Sequence, residues 1–354
     1  MSSRLLCSVL LVSACGRLSF DEVVPGPVTD LPDASPAGGP ILPGLPCEQE
    51  LVVEAKSLGG EGLSAAVVGA GVVAVWKNGG ETQALSIPAM GAPVQRVLFE
   101  NVIDHPSVTA VGEGLLAAAP VDTGVTLVQR FSAELVPEAS SSSITAPERA
   151  VGPRALAPAV GGGALLVGGA GTVTLRALNR DGAPNGDPQL VMNDTSSASV
   201  ITTPKTYVLT WVDQGGGCSM AMATEALVVS VPIPLRSTMQ ATCSGPAPYE
   251  AGREVHLETD PAGTAIYSGT QPLGAQLASV SAPRAASTTS GGWVVWSEPA
   301  GVQAVPLKLD GGAAGVALRL DGPSPRFDVV SAGDHALALW SRGASLVVRR
   351  LCTK

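Results

Sequence analysis

The sequence predicts an all-β fold. Short runs of Val, Leu, Ile and Trp recur along the chain and are separated by Gly, Pro, Asp and Asn, a pattern typical of short strands joined by tight turns. No segment sustains apolar residues at helical spacing opposite a polar face. The clearest predicted strands are residues 71–76, 125–130, 207–212, 293–296, 303–309, 336–340 and 345–351.

The predicted strands form a repeating unit. Each unit has a strand of small residues, a Gly turn, a β-rich strand that often ends in Trp, a second turn and an alternating strand, and residues 291–307 are the clearest copy. The positions that we take as equivalent are Trp76, Ala118, Val167, Trp211, Tyr267, Trp296 and Trp340. Their separations are 42, 49, 44, 56, 29 and 44 residues, and most match a four-stranded propeller blade of about 40–50 residues.

This period resembles a seven-bladed β-propeller over residues 47–354, with about 44 residues for each blade. The long interval contains Cys218 and Cys243 and predicts an insertion or a long hairpin. The short interval predicts either a trimmed blade or a wrong anchor at Tyr267. A propeller must close its ring to leave no open sheet edge, so we expect residues 47–54 to supply a strand that completes the last blade. The alternative is one or two β-sandwiches.

Tryptophans at strand ends are expected to pack between blades, because aromatic side chains bury large areas. These are Trp76, Trp211, Trp296 and Trp340. Trp293 lies three positions before Trp296, so the two side chains should point to opposite sides of one strand. The sequence does not show which of the two is the more exposed.

Four cysteines lie within the predicted domain, and four cysteines allow three disulfide connectivities. Their layout favours Cys47–Cys352, at the two ends of the domain, and Cys218–Cys243, around a short segment. Exported proteins keep such bonds, whereas cytosolic proteins rarely do. Four buried thiols are the alternative.

The N-terminus has the features of an export signal. Arg4 is followed by an apolar run over residues 5–12, which is too short to span a bilayer that needs about 20 residues. The run ends in Val12-Ser13-Ala14-Cys15, which resembles the bacterial lipobox. The resemblance implies a signal peptide over residues 1–14 and a Cys15 that carries acyl chains such as palmitate and anchors the protein to a membrane. The absence of Asp after this cysteine favours the outer membrane. An ordinary secretory signal is the alternative.

Residues 15–46 are predicted to be a tether between the lipidated cysteine and the domain. Seven prolines lie between Pro25 and Pro46, with several glycines among them. Such a segment cannot bury enough apolar surface to offset the entropy of ordering it, so we expect a disordered spacer with polyproline II character.

Catalytic and metal-binding patterns are not found in the sequence. His105, His256 and His335 each lie in a different unit. Asp104 precedes His105 and Asp334 precedes His335, but neighbours in a strand point apart, so a loop would be needed for either pair to interact. The chain has neither a Gly-x-Ser-x-Gly elbow nor a His-x-x-x-His pair. Residues 179–187 are rich in Asn, Asp and Gly, but they fit a hairpin turn better than a calcium loop. We therefore expect no catalytic residue, metal or cofactor.

The formal net charge of −9 disfavours nucleic acid as a partner, because nucleic-acid binding needs a clustered basic surface. The sequence thus predicts a lipid-anchored envelope protein. Its propeller is expected to be a non-enzymatic binding or scaffold module for a protein or a glycan. The alternative is a hydrolase or lyase with its site at the central channel.

Overall fold

The computed structural model describes residues 45–58, 62–122, 124–145, 154–159, 163–168, 171–193, 195–203, 205–213, 215–235, 242–250, 253–261, 263–274 and 280–352. Within these ranges the chain forms 28 strands in seven antiparallel four-stranded sheets, and it forms no helix. The sheets are the blades of a β-propeller, so the predicted fold class is confirmed. The predicted signal peptide, Cys15 and the tether up to residue 44 lie outside the described residues.

The first three blades follow the chain in order. Blade 1 comprises β2 (Leu63–Val68), β3 (Gly71–Asn78), β4 (Glu81–Ile87) and β5 (Val94–Glu100). Blade 2 comprises β6 (Ser107–Val111), β7 (Gly114–Asp122), β8 (Val125–Phe131) and β9 (Ser142–Thr145). Blade 3 comprises β10 (Leu156–Pro158), β11 (Ala164–Gly168), β12 (Thr172–Leu178) and β13 (Gln189–Asn193).

The remaining blades continue this order, except that the last one takes a strand from the N-terminus. Blade 4 comprises β14 (Thr195–Thr202), β15 (Tyr207–Asp213), β16 (Cys218–Ala223) and β17 (Ile233–Pro234). Blade 5 comprises β18 (Thr242–Glu250), β19 (Arg253–Asp260), β20 (Gly263–Ser268) and β21 (Gln271–Pro272). Blade 6 comprises β22 (Arg284–Thr288), β23 (Gly291–Glu298), β24 (Gly301–Leu307) and β25 (Leu318–Asp321). Blade 7 comprises β26 (Phe327–Ala332), β27 (His335–Arg342), β28 (Ser345–Leu351) and β1 (Glu50–Glu54).

The ring closes as the sequence predicted. The first strand of each blade packs against the first strand of the next blade, and β26 of blade 7 packs against β2 of blade 1. The N-terminal strand β1 pairs with β28 from Glu50 opposite Arg349 to Glu54 opposite Ser345. The favoured disulfide between Cys47 and Cys352 fastens this closure.

Apolar cores fill the spaces between the blades. Trp76, Trp211 and Trp340 are fully buried, in agreement with their predicted packing role. Trp293 joins the core shared with blade 7, whereas Trp296 joins the core shared with blade 5, so the two do face opposite sides of β23. Both are buried, because each face of this strand is covered by a neighbouring blade.

The predicted insertion around the second cysteine pair is wrong. Cys218 begins β16, the third strand of blade 4, and Cys243 lies in β18, the first strand of blade 5. The favoured bond between them is formed, and it joins two successive blades. Because the cysteines belong to regular strands of two successive blades, they bracket neither an insertion nor a single long hairpin.

Tyr267 was a wrong anchor for blade 5, because it lies in the third strand, β20. The second strand, β19, has Glu258 at its sixth residue, where β3 and β27 have Trp76 and Trp340. With Glu258 as the anchor, the intervals of 56 and 29 residues become 47 and 38. A charged residue at the tryptophan position hid this blade from the sequence pattern.

The loop after β12 is a turn, as the sequence predicted. The side-chain Oδ1 of Asn179 accepts hydrogen bonds from the backbone N–H groups of Asp181 and Ala183, both at 2.9 Å. Gly182 has a φ of 88°, in the left-handed region that favours glycine. These bonds use the Asn179 side chain to hold the backbone of the turn.

Candidate functional site at the channel mouth

The first strands of the blades surround the axis of the propeller, and their beginnings are tied to one another by polar side chains. Ser107 Oγ accepts a hydrogen bond from the Leu156 N–H at 3.0 Å, which links blade 2 to blade 3. Asp328 Oδ2 accepts one from the Ala65 N–H at 2.9 Å, which links blade 7 to blade 1. A carboxylate in blade 7 thus performs the linking role that a hydroxyl performs in blade 2, and it does so where the ring closes.

Arg154 reaches across the axis. It lies two residues before β10 of blade 3, yet its guanidinium donates to the Ala285 carbonyl at 2.6 Å, the Val329 carbonyl at 2.7 Å and Asp328 Oδ1 at 3.0 Å. The acceptors belong to blades 6 and 7, which stand opposite blade 3 in a ring of seven. We call Arg154, Arg284 and Asp328 the channel mouth, since they lie where the first strands begin.

Arg284 adds a second positive charge to the channel mouth. Its Nε atom is buried and has no hydrogen-bond partner within the described part of the chain. Burial, together with the charge of Arg154, lowers the pKa of Arg284 to about 10, while the negative charge of Asp328 opposes this shift. Arg284 stays protonated at neutral pH, so two guanidinium groups face one carboxylate.

His256 lies in β19 with a glutamate two residues away on each side. Its Nε2 is 3.0 Å from Glu258 Oε1 and its Nδ1 is 3.3 Å from Glu254 Oε1. All three side chains are buried, and the ring of Tyr267 stacks on the imidazole at 5.8 Å between ring centroids. Burial lowers the pKa of His256, but the two carboxylates outweigh it, so the pKa is raised above its usual 6.5.

Glu254, His256 and Glu258, which we call the charged ladder, face blade 4. Val255 and Leu257 alternate with the ladder along β19 and belong to the core shared with blade 6, so the ladder points to the other side. Glu258 pairs with Cys243 of β18, whose sulfur bonds to blade 4. The ladder therefore belongs to the interface of blades 4 and 5.

Asp334 and His335 interact in the way that the sequence required, through a turn. Asp334 lies in the turn between β26 and β27, so its carboxylate reaches His335 Nδ1 at 2.6 Å. This hydrogen bond holds the pKa of the exposed Asp334 carboxyl below its usual value. Asp334 also borders a surface pocket of about 590 Å³, which is lined by Thr289 and Lys308 among others.

The histidines are not brought together. His105 precedes β6 and lies against Gly62, where an added Cβ would stand 2.3 Å from its Nδ1. His256 and His335 belong to second strands of blades 5 and 7, so each histidine has its own surroundings, as the sequence indicated. Across the described ranges, no cluster of His, Cys, Asp and Glu has a geometry that would hold a metal ion.

Sequence reasoning missed the channel mouth. The charged residues in the seven first strands, as far as these are described, are Glu250, Arg284 and Asp328. Asp328 stands between Phe327 and Val329 in an apolar strand. A charge in such a run was the available signal, because a buried charge is rarely left without a partner. Arg154 gave no comparable signal, since it lies outside a strand.

Similarity to known proteins is found in the structure and not in the sequence. The sequence matches no protein-family model and no curated protein. The structure is similar to hydrazine synthase of Kuenenia stuttgartiensis, with a TM-score of 0.55 and 12% identity over 85% of this chain and 98% of that one. It is also similar to BamB of Moraxella catarrhalis, with a TM-score of 0.47 and 15% identity over 82% of this chain and 85% of that one.

A further similarity is to a prolyl endopeptidase, with a TM-score of 0.49 and 17% identity over 85% of this chain. The chain spans 46% of the length of that enzyme. The similarity to hydrazine synthase, at 12% identity, is one of fold alone. Among the described residues, no helix is both long and apolar enough to cross a membrane.

Proposed function

We propose that this protein is a non-enzymatic binding or scaffold module of the cell envelope, anchored to the outer membrane through a lipidated Cys15. Its partner is a protein or a glycan of the envelope. The anchor is inferred from the lipobox-like Val12-Ser13-Ala14-Cys15. Two disulfides support an oxidising compartment such as the envelope.

The non-enzymatic role is supported by one observation: the charged groups near the axis already hold neighbouring blades together through hydrogen bonds. Arg154 and Asp328 are committed to joining blades 3, 6, 7 and 1, with four short hydrogen bonds to neighbouring strands or to each other. A general acid or base needs a group that is free to exchange a proton with a substrate. The alternative, a hydrolase or lyase at the channel, has less support because His256 and His335 lie in second strands and meet their carboxylates there, not at the channel mouth.

The anchor is tested by labelling cells with a palmitate analogue. The wild-type protein should be labelled and should fractionate with outer membranes, whereas Cys15→Ser should lose both properties. Cys7→Ser is the matched control, because Cys7 lies within the predicted signal peptide and should leave labelling unchanged. Labelling of Cys15→Ser equal to wild type would exclude this anchor.

The binding role is tested by crosslinking in intact cells. A photoreactive residue is placed at Val231 or at Met90, which are 83% and 86% exposed and belong to different blades. We expect a defined envelope protein to crosslink at one position more than at the other. Retention of the purified protein on envelope glycan, with no protein crosslinked, would assign a glycan partner instead. Failure of both assays would contradict the binding role.

A further inference from the structure

We propose that the channel mouth binds a small oxyanion, a carboxylate or phosphate group, against the guanidinium of Arg284. The proposal deepens the binding role proposed above by naming a ligand class, so it rests on that role.

Asp328 already accepts three hydrogen bonds from groups other than Arg284. Its Oδ1 accepts from Arg154 at 3.0 Å and from the Val329 N–H at 2.8 Å, and its Oδ2 accepts from the Ala65 N–H at 2.9 Å. The carboxylate therefore balances the charge of Arg154 and holds the backbone of two blades. It raises the pKa of Arg284 through its charge, but it makes no hydrogen bond to it among the described residues.

Nothing else at this end of the described first strands balances Arg284. Glu250 is the other acidic residue of these strands, but it lies at the far end of β18 and forms an ion pair with Arg253 at 3.4 Å. Ser107 at the same end is neutral, and its Oγ accepts from the next blade. The mouth therefore carries one positive charge more than it carries negative charge.

A guanidinium in this setting suits an oxyanion. Arginine presents planar N–H donors in a fork that matches the oxygens of a carboxylate or phosphate. The buried Nε of Arg284 has no acceptor in the described part of the chain, and leaving such a donor unpaired costs free energy. An anion at Arg284 would supply that acceptor and balance the charge at once.

The test is isothermal titration of the full-length protein in detergent with inorganic phosphate and with acetate. At least one anion should bind saturably, and Arg284→Gln should weaken binding by about tenfold or more, because it removes a charge-assisted hydrogen bond. Arg96→Gln is the matched control, since Arg96 is an exposed arginine on the fourth strand of blade 1. Equal binding by Arg284→Gln and wild type, or no saturable binding of either anion, would overturn the proposal.

Thermal unfolding shows whether the Arg284→Gln variant still folds. Without anion, Arg284→Gln should be at least as stable as wild type, because burial and Arg154 both disfavour the charged side chain. Added anion should raise the Tm of wild type and of Arg96→Gln but not that of Arg284→Gln. A variant that is destabilised without anion would instead show that Arg284 supports the fold, which contradicts the proposal.

A short peptide, prepared with a free and with an amidated C-terminus, distinguishes a chain-terminal carboxylate from a phosphate group as the ligand. Binding of the free peptide alone identifies a chain-terminal carboxylate, whereas binding of phosphate alone identifies a phosphate group. The crosslinking experiment is independent of Arg284. If a partner is crosslinked but no anion binds, the anion site fails and the proposed binding role stands.

Discussion

The closure of blade 7 and the interface of blades 4 and 5 are both fastened by a disulfide, but they differ in the size of the apolar core beside it. Beside the closure, 15 buried apolar residues form one core between blades 7 and 1. Between blades 4 and 5 the apolar cluster has five buried residues, two of which are the bonded cysteines. The interface also buries Glu254, His256 and Glu258.

The difference teaches where each interface is vulnerable. Strand pairing and an apolar core support the closure beside its disulfide, and the buried carboxylate there, Asp328, is paired with Arg154. The second interface depends on a balance of charge, because buried carboxylates are tolerated only while they are paired. We therefore expect the closure to respond mainly to the loss of its covalent link and the second interface to respond to protons as well.

Removal of the closure disulfide should have the largest effect. It joins residues 305 apart, and the loop-entropy relation gives a loss on the order of 5 kcal/mol in the free energy of unfolding. The double variant Cys47→Ala/Cys352→Ala avoids a free thiol, and urea unfolding measures the change. Circular dichroism should stay that of a β protein, because β1 keeps its pairing with β28. A loss below about 1 kcal/mol would show that the closure does not constrain the unfolded chain.

The next largest effect is expected for His256→Leu. It should lower the free energy of unfolding by about 3–5 kcal/mol, because it leaves Glu254 and Glu258 buried without a cation. Urea unfolding again measures it. The triple variant Glu254→Gln/His256→Leu/Glu258→Gln should recover part of the loss, since it removes both charges. The matched control is His335→Leu, whose partner Asp334 is exposed and can return to water. Equal losses in the two single variants would contradict a role for buried charge.

The disulfide between blades 4 and 5 should matter less than the closure disulfide. Its residues are 25 apart, for which the same relation gives about 3 kcal/mol. Cys218→Ala/Cys243→Ala, measured beside the closure variant, tests whether loop length sets the difference. A larger loss here than at the closure would mean that this bond also holds the charged ladder against blade 4.

A rise in pH should weaken the same interface. The pKa of His256 is raised in the folded protein, so its stabilising contribution is complete below the unfolded pKa of about 6.5 and is lost as pH rises through the folded value. The loss should be smaller than that of His256→Leu, because a neutral imidazole keeps one N–H donor for Glu258. The urea midpoint of wild type should therefore fall with rising pH more than that of the triple variant. Parallel profiles would contradict this assignment.

Sequence reasoning succeeded where structure follows from repetition. Trp76, Trp296 and Trp340 occupy the same place in their second strands, so their spacing marked the blades. The closing strand and the pairing of Cys47 with Cys352 followed from the requirement that the ring close. These features depend on local pattern and chain order, both of which a sequence displays.

Sequence reasoning failed where contacts join distant parts of the chain. Asp328 and Arg154 are 174 residues apart and meet only because blades 3 and 7 stand across the ring from each other. The ladder around His256 was missed for a different reason. Side chains alternate between the two faces of a strand, so the sequence puts these three on one face. They are buried only because blade 4 packs against that face.

The smallest effect is expected at the outer edge of the closure, where Glu50 contacts two arginines. Its Oε2 lies 2.8 Å from Arg342 and its Oε1 lies 3.7 Å from Arg349. Glu50→Gln should cost only about 0.2–1 kcal/mol, because the pair is partly exposed to water and salt screens it. Arg342 also keeps its ion pair with Asp321 in the variant.

Urea unfolding at low and high salt measures this effect, with Glu100→Gln, an exposed glutamate on β5, as the matched control. The cost of Glu50→Gln relative to the control should shrink at high salt, whereas the cost of His256→Leu should change little, because its charges are buried. A salt-independent loss above about 2 kcal/mol at Glu50 would mean that the closure, like the interface of blades 4 and 5, depends on charge balance. The contrast between the two interfaces would then lie in their apolar cores alone.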